Sequence, residues 1–344
     1  MTTYFLTPDY TFPSGGVRVI YRHVDILNAH GIEAYVLHRK AGHRANWFQN
    51  ETPIVYWDNS LKRRAVRKIE RYLSPSRPKE IPLRGGAAGK IGSNDVLVVP
   101  EIYGPGLAGL APGVPKVILN QNCYLMFRGY KVETIEGESP YRHPDVKGVL
   151  INSEDGLEYL NYVFPEIPVH RFRLSIDSVL FRYEANKKPQ ICFTPRKNKG
   201  LVVQVINILR ERNALDGFDL VPFEGMPQSK VADIMRESAF FLSFGQSEGF
   251  GLPPAEAMAS GCVVIGYHAG GGKEFFRPEF SIPIPYGEVI EYAEAIERAL
   301  REYRADPEPY RQMGRDAAAF IDDTYSAPNE EADVLEFWKG VMGR

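Results

Sequence analysis

The sequence predicts an α/β chain of two domains, each a parallel sheet flanked by crossover helices. Three observations carry that expectation. At 344 residues and 44% hydrophobic, the chain is long enough for two cores. Short apolar runs rich in β-branched and aromatic residues alternate with helical patterns along most of its length. Several of those runs end in glycine-rich or polar turns that open into helices, as on the ligand edge of a parallel sheet.

Tyr4 to Thr7 reads as the first strand. After the loop Thr11-Phe12-Pro13-Ser14-Gly15-Gly16 comes a helix from about Val17 to His30, ended by Gly31, with Val17, Ile20, Tyr21, Val24 and Leu27 at helical spacing. Gly15 and Gly16 leave room for a phosphate at this first strand-to-helix turn, although a plain tight turn explains them as well. The stretch PSGGVRVI lacks the Gly-x-Gly-x-x-Gly of a nicotinamide enzyme. Ala34 to Leu37 and Ile54 to Trp57 are strands. Residues 61–90 hold ten Lys or Arg against Glu70 and Glu80, a net +8 that leaves −10 for the rest of a chain of net charge −2. Residues 61–73 read as helix and 74–90, rich in proline and glycine, as a mobile loop. The segment is either a solvated helix and linker or a patch for anionic lipid or polyanionic glycan.

Asp95 to Pro100 and Lys116 to Asn120 are strands that run into Glu101-Ile102-Tyr103 and Asn120-Gln121-Asn122-Cys123-Tyr124, polar residues on the ligand edge of the sheet. Val149 to Asn152, a helix to about Val163, and Val169 to Leu174 complete the first half, and the polar ANKKPQ reads as the linker. The second half opens with Ile191 to Thr194 and then Pro195-Arg196-Lys197-Asn198-Lys199-Gly200, a cationic turn suited to a diphosphate. Leu220 to Phe223, a helix over 227–237 and Ala239 to Ser243 follow, then a strand over Cys262 to Ile265 and one near 280–284. Helices near 288–304, 307–324 and 328–342 close the chain.

Between these elements lies SEGFGLPPAEAMASG, Ser247 to Gly261. It reads as an acidic glycine loop, a helix begun by Pro253 and Pro254, and a left-handed stop at Gly261. Backbone N–H groups and the positive end of such a helix make an anion site. Glu248 on the loop and Glu256 in the first helical turn, seven residues between them, bracket it. A carboxylate that accepts two hydrogen bonds suits a vicinal diol. On chemistry alone, a dipole-favouring Glu256 and a solvated Glu248 explain the pair equally well.

The stretch EGFGLPPAEAMASGCVVIGY, continued through Ala269-Gly270-Gly271-Gly272 to Glu274, resembles the donor-site signature of retaining GT-B glycosyltransferases of the family 4 type, with their Glu-x7-Glu motif. Weaker echoes lie at Gly15-Gly16, at Ile176-Asp177 with Phe181, and at Arg196 with a following lysine. The resemblance implies two Rossmann-like domains facing across a cleft: 1–184 on the acceptor side, 185–325 binding the donor, and a helix 326–344 crossing back to the first domain. It implies transfer of a glycosyl group, most simply a hexosyl group, from a nucleoside-diphosphate sugar to a saccharide or glycolipid hydroxyl, with retention. Donor contacts would come from Gly15, Gly16, Arg196, Lys199, Met226, Glu248, Gly249, Phe250, Gly251, Leu252 and Glu256. Glu248, Arg196, Lys199 and Gln121 would serve the chemistry. Gln121 stands where family members often carry a histidine, and glutamine donates a hydrogen bond without carrying charge. Alternatives are a nucleotide-sugar epimerase on the same fold or a non-catalytic nucleotide-sugar-binding partner.

No metal or other cofactor is expected. The seven histidines show no metal spacing, and Cys123, Cys192 and Cys262 read as buried thiols of a reducing compartment. A net charge of −2 argues against nucleic acid as a partner. No apolar run approaches the ~20 residues of a membrane span, and TYFLT follows no basic flank of a signal peptide. The expected location is therefore the cytoplasm, with the basic segment 61–90 as the part that would touch the inner face of a membrane.

Overall fold

The structure is a computed structural model that describes residues 1–58, 81–84, 89–107, 109–133 and 139–343. It divides into two compact units. Unit 1 comprises Met1–Ile151, Tyr159–Arg171 and Asp333–Arg344, and unit 2 comprises Asn152–Glu158 and Phe172–Ala332. Residues 172–184, which the sequence reading assigns to the first domain, thus fall in unit 2.

Unit 1 is built on β1 (Thr3–Leu6), β2 (Ala34–His38), β3 (Ile54–Trp57), β4 (Ile81–Arg84), β5 (Lys90–Ile91), β6 (Val96–Pro100), β7 (Lys116–Asn120), β8 (Val146–Ile151) and β9 (Val169–Arg171). Among the described residues they form one sheet in the order 5-4-3-2-1-6-7-8-9. Central strands such as VLVVP and KVILN are buried on both faces, which is why they read as continuous apolar runs. Strand β1 pairs in parallel with β2 (Thr3↔Ala34) and with β6 (Thr3↔Val96). Helix α1 (Gly15–Ala29) crosses between β1 and β2, and its buried Val17, Ile20, Tyr21, Val24 and Leu27 are the stripe its spacing predicts. Helix α2 (Glu154–Val163) follows β8.

The expected loop over 74–90 needs correction. Residues 81–84 and 90–91 are strands, paired antiparallel as Trp57↔Leu83 and Ile81↔Ile91. Ile81 and Leu83 alternate inward, a period-2 signal masked in the sequence by Pro82 and the glycines nearby. The rest of the basic segment, 61–80 and 85–88, lies outside the described residues.

Unit 2 holds a parallel sheet of β10 (Lys188–Phe193), β11 (Asp219–Pro222), β12 (Ser238–Ser243), β13 (Val263–Gly266) and β14 (Ser281–Pro283) in the order 11-10-12-13-14. Around it run α3 (Lys199–Glu211), α4 (Gln228–Glu237), α5 (Leu252–Ala259), α6 (Val289–Ala305) and α7 (Glu308–Thr324). Its core joins Ile191, Leu242, Val263 and Ile265 of the sheet to Val205, Leu209, Tyr292, Ile296 and Leu300 of α3 and α6. The last helix, α8 (Ala327–Met342), begins in unit 2 and ends in unit 1, where fully buried Trp338 packs 6.0 Å from Phe5 of β1. Among the described residues no helix is long and apolar enough to cross a membrane.

Candidate active site

In unit 2 the chain leaves β10 toward β11 on one side and returns to β12 on the other. Such a reversal opens a crevice at the carboxyl ends of the two strands, where open α/β sheets bind ligands. The turn 194–198 follows β10, the loop 244–251 follows β12, and the glycine loop 267–270 follows β13. All three therefore open on one edge.

The acidic loop is fastened to the glycine loop by backbone. Glu248 N–H donates to Ala269 O at 2.8 Å and Gly271 N–H to Glu248 O at 3.1 Å, a single parallel bridge outside the sheet. The approach is close enough that a Cβ on Gly271 would lie 2.1 Å from Gly249 O, so only glycine fits there. With the backbone so held, the Glu248 carboxylate forms an ion pair with Lys197 across the crevice, at side-chain exposures of 24% and 34%. Arg196, beside it, is exposed and has no hydrogen bond or ion pair among the described residues. Asn198 takes the left-handed conformation at φ 54°, which turns the chain so that Lys199 opens α3 on the exposed side. The structure thus brings Lys197, not Lys199, to Glu248.

Beyond Glu248, Gly249 and Phe250 are buried. The Phe250 ring sits 5.1 Å from Phe275 and 5.2 Å from Tyr325, so what this residue offers a ligand is its backbone. Gly251 is left-handed at φ 96° and serves as the N-cap, which lets α5 start at Leu252, ahead of the prolines. Glu256 consequently lies just past the first turn rather than in it, and accepts from Gln228 Nε2 at 3.4 Å. The helix ends as predicted: Gly261 N–H donates to Met258 O and Cys262 N–H to Ala257 O, the two bonds of a Schellman cap. Glu274, at the end of the motif, accepts from the Tyr325 hydroxyl at 2.7 Å and from the Glu154 N–H at 2.6 Å, so its carboxylate serves the scaffold. Met226, 39% exposed, lines a cavity of about 640 Å³ with Arg182, Lys230 and Arg236; Glu248 and Glu256 are not among its walls.

Unit 1 has its own reversal, between β1 and β6. Gly15 and Gly16 are the first two residues of α1, two residues earlier than the spacing predicts, so their N–H groups are unsatisfied within the helix. Gln121, after β7, donates from Nε2 to Gly16 O at 3.0 Å. Its backbone N–H donates to Glu101 Oε2 at 3.2 Å. Burial pushes the Glu101 carboxyl up to about 7 against the pull of that hydrogen bond. Sequence reasoning put Glu101 on the ligand edge without assigning it a role; the missing signal was its complete burial beside the Gln121 backbone. Histidines show a further group that linear spacing hid: Asp9, His38 and His43 lie together in unit 1.

Residues 186–320 match the family model described as glycosyl transferases group 1. An α-1,6-glucosyltransferase from Actinobacillus pleuropneumoniae serotype 7 (strain AP76) is 29% identical over 195 residues, 51% of this chain and 53% of that protein. The chain thus spans about half the length of that curated relative. Among solved structures, a mutant of S. aureus TarM in complex with fondaparinux, α-GlcNAc-glycerol and UDP superposes at a TM-score of 0.65 with 11% identity, over 100% of both chains. Anabaena HepE in complex with UDP superposes at 0.63 with 13% identity, again over 100% of both. The chain has the two-domain α/β fold of the GT-B glycosyltransferases, and its likeness to the group 1 glycosyl transferase model lies in residues 186–320.

Proposed function

We propose that this protein transfers a glycosyl group, a hexosyl group in the simplest case, from a nucleoside-diphosphate sugar to the hydroxyl of a saccharide or glycolipid, with retention of anomeric configuration. The observation that carries the reading is the meeting of the cationic turn 195–198 and the Glu248 loop at the β10/β12 reversal, inside the stretch that matches the group 1 model.

The barrier is breakage of the bond between anomeric carbon and phosphate oxygen. Arg196 and Lys197 stand where charge grows on the departing diphosphate, and protein cations do there the work a metal does elsewhere. Binding a diphosphate draws Lys197 away from Glu248 and frees that carboxylate to meet the donor sugar. Glu248 orients the sugar's hydroxyls or stabilises positive charge on its ring. The acceptor oxygen bonds to the anomeric carbon on the face the phosphate leaves, and its proton passes to a phosphate oxygen. Glu256, steadied by Gln228, accepts the ribose hydroxyls. The cytoplasmic location expected from the sequence belongs to this reading.

Calorimetric titration with UDP, GDP, ADP, CMP and dTDP tests the reading, with UDP first because the solved neighbours hold it. The expected result is one nucleotide that binds wild type and loses about tenfold or more in affinity, roughly 1.4 kcal/mol, in Glu256→Ala. Failure of all five to bind, or equal binding by the variant, would remove the donor site and the transferase with it.

A further inference from the structure

The parallel pairing of β1 with β2 carries the chain beyond each strand to one spot, where Leu6 and Leu37 are register partners. Asp9 lies past β1, His38 ends β2, and His43 follows in the next loop. One ligand-type atom from each lies within 4.8 Å of the other two. The transfer proposed above makes no use of them.

Each of the three is held from outside by a partner that leaves another atom facing inward. Asp9 Oδ2 accepts from the Lys40 N–H at 3.0 Å, which turns Oδ1 toward His38 Nδ1 at 2.8 Å. His38, fully buried, meets the Tyr21 hydroxyl with its other nitrogen at 2.7 Å, and that hydroxyl accepts from the Ala45 N–H at 3.2 Å. The His43 ring has a hydrogen bond with the Tyr10 backbone, while its Nε2 is buried with no hydrogen-bond partner among the described residues. A buried imidazole nitrogen with nothing to bond is costly in a folded protein, and an outer partner on each ligand is the rule at metal sites.

We propose that Asp9, His38 and His43 form a zinc site that ties the loop between β1 and α1 to the end of β2. Two imidazoles and one carboxylate are a common zinc set and leave a fourth position for water. Tetrahedral zinc with bonds near 2.0 Å spaces its ligands about 3.3 Å apart, so Asp9 and His38 part by roughly half an ångström and His43 closes by at most about 1.5 Å. Both movements are within the reach of side-chain rotation. The site fixes the loop that leads to Gly15 and Gly16; no step of the transfer runs through it.

The test uses the full chain without a histidine tag, stripped with a chelator. Calorimetric titration with zinc chloride should show one equivalent bound and a raised melting temperature. Cobalt(II), as a spectroscopic probe, should give the intense visible absorption of a tetrahedral site. Asp9→Asn and His43→Gln should each weaken zinc by more than about tenfold and abolish that absorption, and Tyr21→Phe should weaken it by about ten- to a hundredfold. His43→Gln also removes the ring's contact with His38 at 4.6 Å, so its metal-free circular dichroism and melting are compared with those of wild type, which separates loss of ligand from loss of fold. Substoichiometric zinc in wild type, or His43→Gln binding zinc as wild type does, overturns the site and leaves a hydrogen-bonded Asp9–His38–Tyr21 chain in its place.

Discussion

Glu101 follows β6 at 4% exposure, and burial raises its carboxyl from 4.5 to about 7. The sign of the consequence follows from linkage. The protonated form is favoured in the folded chain, so the group's contribution is intact below 4.5, declines as pH rises through about 7, and is then lost. The loss is on the order of 3 kcal/mol. Glu101→Gln keeps an oxygen for the Gln121 N–H and carries no charge. It should melt higher than wild type at pH 8 and close to it at pH 4.5; equal melting at pH 8 would mean that the carboxylate is well solvated after all. A second residue-scale question separates the two lysines of the cationic turn. The resemblance pairs Arg196 with a following lysine, assigned as Lys199 without a distinguishing signal. The left-handed Asn198, in a conformation asparagine adopts more readily than most residues, accompanies the contact of Lys197 with Glu248. Lys197→Met should cost about tenfold in nucleotide affinity, about 1.4 kcal/mol, and Lys199→Met little. The reverse order, read by calorimetry, would return the diphosphate role to Lys199.

At the scale of elements, helix α5 of the candidate site depends on neighbours that sequence motifs do not mention. Lys187, in the linker-like ANKKPQ, sends its ammonium inward to the ends of two helices. Nζ donates to Met235 O at 3.3 Å, Arg236 O at 2.9 Å and Ser260 O at 2.5 Å, so its three protons meet three carbonyls at the C-termini of α4 and α5. Burial lowers its pKa, yet the negative helix ends favour the cation. Lys187→Met leaves those carbonyls unsatisfied and should destabilise unit 2 by roughly 3 kcal/mol in urea unfolding; a change below about 1 kcal/mol would show that water replaces the ammonium easily. Element boundaries were legible where caps are local chemistry, as at Gly261 and its Schellman bonds. They were not legible where pairing is tertiary. Ile81 to Arg84 is a strand because Trp57 and Leu83 meet across the sheet edge, and a window containing Pro82 cannot report that. Asp9, His38 and His43 escaped notice for the same reason, since the pairing of β1 with β2 brings them together across 29 residues.

For the whole molecule, strand order does what motif reading anticipates only by resemblance. Alternation of strands and helices specifies parallel sheets, but the two reversals, β1/β6 and β10/β12, belong to topology. The polar ends of β6, β7 and β10 were visible as candidates because each follows a continuous apolar run. Their grouping, with Glu101 against Gln121 and Lys197 against Glu248, needed the fold. Because the group 1 match and the Glu248 crevice both fall in unit 2, nucleotide binding should act on that unit's stability. A ligand at 100 times its Kd stabilises the state that binds it by about 2.7 kcal/mol. For a unit of this size that is a rise of very roughly 5–10 °C in the transition it belongs to, since about 1 kcal/mol shifts a domain of 150–250 residues by 2–4 °C. Thermal melting of the full chain with saturating UDP should show that rise in wild type and much less of it in Glu256→Ala. An equal rise in both proteins would place the nucleotide elsewhere, with the cavity beside Met226, Lys230 and Arg236 the next place to look.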